Sequence, residues 1–302
     1  MSDRAGGFDG FTQHDVPTTR GDIRAMVGGE GPPLLLLHGY PQSLVMWHGV
    51  APLLAERHTV VATDLAGYGA SFRPLPTPDH EAHGKRAMAL DQVEAMTALG
   101  FDRFAVAGHD RGGRVAYRMA LDHPGSVERL AVLDVVPTAE VWGRIDAAVA
   151  RGYWHWSFLA LPPPLPERMI AGDPQAFFDL HVRAQLGLGG EAGRYPAELM
   201  DGYRRTLDDP DAVAAMCEDY RAGATIDVVH DEADREAGRR IDCPVLVLWA
   251  GRGGLPKFYA DVLDVWRPWA RDVDGQAIDA RHFLAEDRPE ETAAALLAFL
   301  SG

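Results

Sequence analysis

Five short apolar runs recur along the chain, each bounded by glycine, proline or charged residues. They are nearly continuous rather than alternating, which is typical of strands that are covered on both faces and belong to a parallel sheet. We expect strands at residues 32–39, 58–67, 103–110, 129–137 and 243–251. The first reads PPLLLLHG and the last CPVLVLWAG.

Helical patterns lie between and after these strands. Residues 85–100 end at a glycine and residues 112–124 end at a proline, both normal stop signals for helices. A further helix is expected in the C-terminal segment EDRPEETAAALLAFL. This alternation of strand and helix predicts an α/β fold with a mostly parallel, doubly wound sheet.

The alternation stops between about residues 138 and 240, where we find no convincing strand. This stretch holds aromatic and proline-rich pieces such as RGYWHWSFLALPPPLPE, and the strand pattern resumes at Cys243. We interpret it as a helical cap over the sheet edge at which open α/β sheets bind ligands. The predicted organisation is a first part of the core at 1–137, a helical cap at 138–240 and a second part of the core at 241–302.

Composition and charge narrow the range of partners. The 302 residues include 29 Lys and Arg against 44 Asp and Glu, a formal net charge of −15, which argues against nucleic acid or an anionic membrane as a partner. No apolar run approaches the roughly 18 residues of a membrane span, and no secretory signal is recognisable, so we expect a cytoplasmic location. The two cysteines, Cys217 and Cys243, lack metal-type spacing. We predict neither a metal nor a cofactor.

A G-x-D-x-G motif stands between a predicted strand and a predicted helix in VAGHDRGGRVAYRMALDHP, residues 106–124. Gly108 and Gly112 permit a tight turn that lifts one side chain above the sheet, as in a nucleophile elbow. That side chain is Asp110, at a position where serine is common. The alternative is that Asp110 only caps the following helix, a role that suits aspartate.

Chain order suggests a catalytic base and its acidic partner. His282 follows a predicted last strand and precedes the last helix, where the order nucleophile, acid, histidine places the base. Asp134 ends the strand LAVLDVVP, and a buried aspartate is costly unless it is paired. We therefore assign Asp134 as the partner of His282, with Asp264 as a second choice. The backbone amides of Tyr40, in HGYP, and of Arg111 form the predicted oxyanion hole.

An aspartate at the elbow suits displacement at a tetrahedral carbon. Asp110 is ionised at neutral pH and can form an alkyl ester directly, which water activated by His282 then hydrolyses. Arg111 and Arg114 lie three residues apart at the start of a helix and so share a face. They predict a site for a substrate carboxylate. The alternative is that they pair with cap carboxylates or with Asp110 itself.

The chain resembles the haloacetate (fluoroacetate) dehalogenases of the α/β-hydrolase superfamily, over nearly its whole length, in the segments GHDRGGR, HGYPQS, LDVVPT, YWHWSF and MCEDYRAG. The resemblance implies an α/β-hydrolase fold and removal of halide from a small anionic organohalide, with Arg111 and Arg114 holding its carboxylate. It further implies a halide site formed by His155, Trp156 and Tyr220. It also suggests a homodimer.

The sequence departs from that family at two places. Several relatives carry a further cap tryptophan, whereas the corresponding stretch HVRAQLGLGGEAGR, residues 181–194, has none. We expect this difference to bear on pocket closure or on the choice of substrate. Arg281 precedes His282 where a glycine is common. Trp154, unlike Trp156, is expected to pack within the cap rather than bind halide.

Three other functions stay open. An epoxide hydrolase uses the same aspartyl ester but needs two cap tyrosines, for which Tyr153, Tyr203 and Tyr220 are available, and it gives the two arginines no task. A haloalkane dehalogenase gives them none either, because its substrates are neutral. A non-catalytic binder of small carboxylates would be expected to lose a member of the triad, and all three members are present.

Overall fold

The computed structural model describes residues 7–183 and 195–302. Eight strands form one sheet in the order β1-β2-β4-β3-β5-β6-β7-β8. Their bounds are β1 Thr12–Pro17, β2 Asp22–Gly28, β3 Pro33–Leu37, β4 Thr59–Thr63, β5 Phe104–His109, β6 Val127–Leu133, β7 Val245–Ala250 and β8 Val273–Ile278. β2 pairs antiparallel with β1 and β4, and the other pairs are parallel. The predicted α/β fold with a mostly parallel sheet is confirmed.

Strands β3 to β7 are the five predicted from apolar runs. Strands β1 and β2 were not predicted, and β8 is the last strand expected before His282. β1 and β8 lie at the two sheet edges, and each buries a single side chain fully. Edge strands of this kind carry few apolar residues, so they escape a search for apolar runs.

The central strands are buried on both faces. In β3, Leu34 and Leu36 belong to one buried cluster, while Leu35 and Leu37 belong to the other. All four side chains have 0% exposure. The continuous apolar runs therefore reflect two separate cores, one on each face of the sheet.

Three helices confirm predicted ones: Lys85–Ala98, Arg111–Asp122 and Pro289–Leu300. Shorter helices outside residues 138–240 are Ala51–Ala55, Leu255–Phe258, Val262–Trp266 and Leu284–Asp287, with single 3-10 turns at Leu44–Trp47 and Glu81–His83. None of the helices in the described ranges is long and apolar enough to span a membrane.

In the described part of residues 138–240, here called the cap segment, every secondary-structure element is a helix, and turns and loops join these helices. The helices are Thr138–Trp142, Ala147–Gly152, Trp154–Leu159, Leu165–Gly172, Pro174–Phe178, Ala197–Thr206, Pro210–Ala224 and Ile226–Glu236, with a π-helical turn at Asp179–Arg183. The division of the chain into core and cap at the predicted boundaries stays a prediction.

Candidate active site

The turn between β5 and the helix Arg111–Asp122, here called the elbow helix, is strained. Asp110 has φ 47° and ψ −114°, a conformation that non-glycine residues rarely adopt. A Cβ on Gly108 would lie 2.4 Å from the carbonyl oxygen of Gly112, and a Cβ on Gly112 would lie 2.4 Å from that of His38. Both glycines of the motif are therefore required by close backbone packing, as expected of a nucleophile elbow.

The Asp110 carboxylate makes no capping hydrogen bond with the elbow helix. Its Oδ1 accepts a hydrogen bond from the backbone N–H of Tyr40 at 3.1 Å. Its Oδ2 lies 3.6 Å from Nε2 of His282. The carboxylate of Asp110 therefore contacts groups outside the elbow helix. It does not act as the helix cap that the alternative prediction assumed. The amide of Arg111, the second predicted oxyanion donor, begins the elbow helix directly after Asp110.

Asp134 and His282 form a close pair beside Asp110. Nδ1 of His282 lies 2.6 Å from Oδ2 of Asp134. The other carboxylate oxygen, Oδ1, accepts from the backbone N–H of Ala250 at 3.0 Å, which fixes the orientation of Asp134. Asp264, the second choice for this role, is exposed and pairs with Arg267. The geometry therefore groups the predicted nucleophile, base and acid, and leaves Asp264 outside.

The charges of this group stabilise one another. Burial lowers the pKa of His282, but its interactions with the carboxylates of Asp110 and Asp134 outweigh that effect and raise the pKa to about 10. Burial raises the pKa of Asp110, but its interaction with His282 outweighs that effect and holds the pKa well below the usual range. The resting site thus favours an imidazolium between two carboxylates.

Arg111 is tied to the cap segment. Its Nε lies 2.9 Å from Oδ2 of Asp219 and its Nη2 lies 2.6 Å from Oδ1, a bidentate pair that is almost fully buried. Lys85 contacts the same carboxylate. Among the described residues, Nη1 of Arg111 has no hydrogen-bond partner. The alternative that an arginine pairs with a cap carboxylate is therefore observed for Arg111, which keeps one nitrogen unpaired.

Arg114 occupies a different setting. Its Nη1 donates to the carbonyl oxygen of Val136 at 2.9 Å and to Oγ1 of Thr138 at 3.1 Å. Its Cζ lies 4.5 Å from the centre of the Trp156 ring, a cation–π distance. Arg114 is held by neutral groups, so its positive charge is available to an anion in the cavity that it lines.

A cavity of about 540 Å³ opens beside the elbow. The predicted site residues that line it are Asp110, Arg114, Asp134, His155, Trp156 and His282. Tyr220 and the Arg111 side chain lie just behind this lining. The Tyr220 ring is 5.8 Å from that of His155 and 6.1 Å from that of Trp156, and the Arg111 guanidinium lies over it at 4.3 Å. The six lining residues thus face one space, and the other two pack against its wall.

The predicted halide-site residues are neutral and buried. Burial lowers the pKa of His155 well below its usual value and raises the pKa of Tyr220 well above its usual value. A neutral imidazole and a phenol each offer one hydrogen-bond donor. Trp156 stacks on Tyr153 at 5.9 Å, whereas Trp154 packs against Phe177 at 6.0 Å.

Several residues at the site escaped sequence reasoning. His181 lines the cavity with its ring 4.2 Å from that of His155, and neither of its nitrogens has a partner in the part of the chain that is described. It begins the stretch 181–194 that lacks the family tryptophan, and positions 184–194 lie outside the described residues. Arg281, noted in the sequence only because a glycine is common at its position, also lines the cavity. His109 and Asp219 precede Asp110 and Tyr220 directly, and that adjacency is the only signal that pointed to them.

No group of three or more His, Cys, Asp or Glu side chains is placed to hold a metal ion within residues 7–183 and 195–302. Both cysteines are free thiols. The groups that face the cavity can act as nucleophile, base, cation and hydrogen-bond donors.

Comparison with known proteins assigns the family. A family model described as the alpha/beta hydrolase fold matches residues 32–289. This protein belongs to the α/β-hydrolase superfamily. A fluoroacetate dehalogenase from Burkholderia sp is 46% identical to this α/β-hydrolase over 294 residues, covering 97% of this chain and 95% of that protein. The resemblance to haloacetate dehalogenases and the prediction of a hydrolase are confirmed.

Two further relatives of this α/β-hydrolase are informative. A soluble epoxide hydrolase from Corynebacterium sp. (strain C12) is 31% identical over 282 residues, which is 93% of this chain and 94% of that protein. The crystal structure of a candidate alpha/beta hydrolase from Nostoc sp PCC 7120 is similar with a TM-score of 0.93 and 47% identity, covering 97% of this chain and 99% of that one. Both predicted reaction classes, dehalogenation and epoxide hydrolysis, are therefore represented among its relatives.

Proposed function

We propose that this protein hydrolyses 2-haloacetates, including fluoroacetate and chloroacetate, to glycolate and halide through an ester on Asp110. The observation that carries the proposal is the pairing of an ionised nucleophile with a cation in one cavity, Asp110 with Arg114. The 46% identity to a fluoroacetate dehalogenase supports the same substrate class.

The first step forms the ester. Oδ1 of Asp110 accepts from the amide of Tyr40, and Oδ2, which lies 3.6 Å from Nε2 of His282, is the oxygen that attacks the carbon that bears the halogen. The C–O bond forms as the carbon–halogen bond breaks, and the halide leaves with the bonding electron pair. Arg114, which lines the cavity, holds the substrate carboxylate, and Arg111 adds positive charge from behind the cavity wall.

The departing halide needs hydrogen-bond donors, fluoride most of all because it is a poor leaving group. His155 and Trp156 face the cavity, and Tyr220 lies against both rings. Neutral N–H and O–H groups suit the binding of a departing halide, because they can donate hydrogen bonds to it and are not paired with a carboxylate that would compete for the same donors.

The second step hydrolyses the ester. Once Asp110 is esterified its negative charge is lost, so one of the two partners that raise the pKa of His282 to about 10 disappears. His282 can then lose its proton and take one from water, which attacks Cγ of Asp110. The charge that develops on Oδ1 meets the amides of Tyr40 and Arg111, and glycolate leaves with the proton from His282.

Halide release tests this proposal. Purified enzyme is incubated with fluoroacetate, chloroacetate and a panel of epoxides, and fluoride, chloride and diol are measured. Release from either haloacetate supports the proposal. Diol formation without halide release would overturn it in favour of epoxide hydrolysis.

Epoxide hydrolysis is the second candidate because the 31% identical relative carries that activity in its name. Epoxide hydrolysis requires two cap tyrosines that donate to the epoxide oxygen. The structure meets this requirement less well than it meets the requirement of a haloacetate for a cation in the cavity. Tyr153 lines the cavity, but the hydroxyl of Tyr203 donates to Glu286 at 2.8 Å. This chemistry also leaves Arg114 without a task.

We also propose that the enzyme acts in the cytoplasm as a homodimer. Its two free thiols suit a reducing compartment. Light scattering at several protein concentrations tests the dimer, and a monomer at all of them would contradict it.

A further inference from the structure

The wall of the active-site cavity carries an excess of positively charged side chains. Five of its eighteen lining residues are lysine or arginine, against 29 of the 302 residues in the whole chain. Arg114 is buried beside the elbow, and the other four are Arg151, Arg252, Lys257 and Arg281. The protein as a whole has a formal net charge of −15. The cavity wall therefore differs in sign from the molecule that surrounds it.

The acidic groups of the wall do not cancel this excess. Asp110 and Asp134 are the only carboxylates among the lining residues that the structure describes. Both of them contact His282. Two carboxylates thus stand against five cations, and the wall stays positive when they are included.

Two of the cations stand beside a contact between the cap segment and the core. A Cβ on Gly152 would lie 2.5 Å from Cζ of Phe258, so the two residues pack closely. Arg151 directly precedes Gly152 in the helix Ala147–Gly152, and Lys257 directly precedes Phe258 in the helix Leu255–Phe258. Both side chains are exposed and line the cavity. Arg151 and Lys257, here called the rim pair, therefore bring one exposed charge from the cap segment and one from the core.

The charges of the rim pair are not compensated nearby. Neither Arg151 nor Lys257 forms an ion pair within residues 7–183 and 195–302. The guanidinium of Arg151 donates from Nε to the backbone oxygen of Ala147 at 3.2 Å, inside its own helix. Arg252 differs, because its Nε lies 3.0 Å from Oδ1 of Asp279. The rim pair is therefore a source of free positive charge where the cavity meets solvent.

The charge of the rim pair acts on a small anion more strongly than the net charge of the molecule does. Salt screens interactions between exposed charges over about 10 Å at 0.1 M ionic strength, so acidic groups on distant faces contribute little at the cavity. Charges of one sign that line a cleft with apolar walls concentrate ions of the opposite sign there. Tyr153, Trp154 and Phe258 supply such walls. A small anion thus meets an attractive field at the cavity of an acidic protein.

We propose that the rim pair, Arg151 and Lys257, forms an entrance that attracts small organic anions and raises their concentration in the cavity, next to Arg114. Both are specificity-determining residues in this scheme, because an uncharged substrate such as an epoxide gains nothing from them. The inference deepens the proposed function. The choice of a haloacetate as the anion rests on that function, whereas the attraction of anions does not.

Charge reversal tests the entrance kinetically. In Arg151→Glu/Lys257→Glu, kcat/KM for chloroacetate should fall about tenfold at low ionic strength, with kcat within about twofold, because the rim pair acts before the chemical step. At an ionic strength of about 0.5 M the loss should shrink to about twofold, because salt screens exposed charges. Glycolate is the measured product, so that added salt does not interfere with the readout.

Arg57→Glu/Arg103→Glu is the matched control, because it changes the net charge by the same amount. Both residues are exposed, and they precede the parallel strands β4 and β5, at the sheet edge opposite to Asp110. This variant should keep kcat/KM within about twofold of the wild type. An equal loss in the control would assign the effect to net charge, and a loss that persists at high salt would assign it to packing. Either result would overturn the proposal, as would wild-type kinetics in the reversed rim pair.

Fluorescence quenching supplies a second arm that needs no turnover. Trp154 lines the cavity, and its contribution to the emission is obtained by difference from Trp154→Phe. Reversal of the rim pair should lower iodide quenching of this contribution about threefold at low ionic strength, and should leave quenching by uncharged acrylamide unchanged. Unchanged iodide quenching would contradict the entrance even if haloacetates are turned over. The expected quenching without haloacetate turnover would support the entrance and overturn only the proposed substrate.

Discussion

The elbow region and the cap segment contribute to the site in different ways. Asp110 and Asp134 directly follow the central strands β5 and β6, and His282 follows the edge strand β8 after a short loop. The contacts of His282 with the two carboxylates join charged groups. His155 and Trp156 come from one short helix of the cap segment, Trp154–Leu159, and both rings pack against that of Tyr153. The core supplies the charged groups of the site, and the cap segment supplies neutral rings that line the cavity and that we propose contact the leaving halide.

The two arginines show the same contrast within one helix. Arg114 is held by backbone and hydroxyl groups near the end of β6, whereas Arg111 reaches across to Asp219 in the cap segment. One arginine is therefore positioned by neutral groups where β6 leads into the cap segment, and the other by a carboxylate within the cap segment. Variants that separate these roles test the comparison directly.

The largest effect is expected in the core. Asp110→Asn removes the nucleophile and should lower kcat by about ten-thousandfold or more at unchanged fold. Halide release and circular dichroism measure the two quantities. Asp264→Asn, at the exposed aspartate that was the second choice for the acid, should keep wild-type activity; a comparable loss there would show that the acid is misassigned.

The cap should act on the leaving group. His155→Phe removes a neutral donor and should lower kcat for fluoroacetate about a hundredfold, with a much smaller loss for chloroacetate, because chloride leaves more easily. Trp154→Phe keeps an aromatic ring in the cavity lining and removes no donor assigned to the halide, so it should leave the ratio of the two rates unchanged. Parallel fluoride and chloride measurements decide this, and equal losses on both substrates would argue against a halide role for His155.

Variants of the two arginines should affect different quantities, substrate binding for Arg114 and folding stability for Arg111. Arg114→Gln should raise KM for chloroacetate roughly thirtyfold, the equivalent of about 2 kcal/mol for a charged hydrogen bond, with little change in stability. Arg111→Gln should reduce the free energy of unfolding by about 3 kcal/mol, because Asp219 loses a buried partner. Steady-state kinetics and urea unfolding separate the two. Similar stability losses in both variants would contradict the distinction.

The smallest expected effect is on the pH dependence of folding stability, to which the histidines of the two regions contribute with opposite sign. The folded pKa of His282 is raised to about 10, so its stabilising contribution is present below pH 6.5 and is lost as the pH rises toward 10. The pKa of His155 is lowered, so its contribution is present above pH 6.5 and is lost as the pH falls. Thermal unfolding should show a shallower alkaline slope in His282→Asn and a shallower acid slope in His155→Phe. Unchanged slopes would contradict the assigned charge states.

The core could be predicted from sequence because its signals are local. Buried strands produce apolar runs, and a motif of a few consecutive residues around Asp110 predicts the elbow. Asp134 was identified by the cost of an aspartate at the end of an apolar strand, and chain order identified His282. The edge strands β1 and β8 were harder, since a strand with one buried side chain has no apolar run.

The cap contacts could not be predicted because they depend on packing between distant segments. Arg111 and Asp219 are 108 positions apart, and the residues around each of them contain no pattern that predicts their contact. His181 looks like an isolated polar residue until folding brings it against His155. His155, Trp156 and Tyr220 were assigned from family resemblance, and their roles stay predictions.

The central claim is the ester on Asp110, and trapping it is the most direct test. In His282→Asn, the first step should proceed with chloroacetate while hydrolysis stalls. Mass spectrometry of the peptide that contains Asp110 should then show one added carboxymethyl group, absent in Asp110→Asn/His282→Asn. An unmodified peptide in the single variant, with a haloacetate that the wild-type enzyme turns over, would contradict the covalent mechanism.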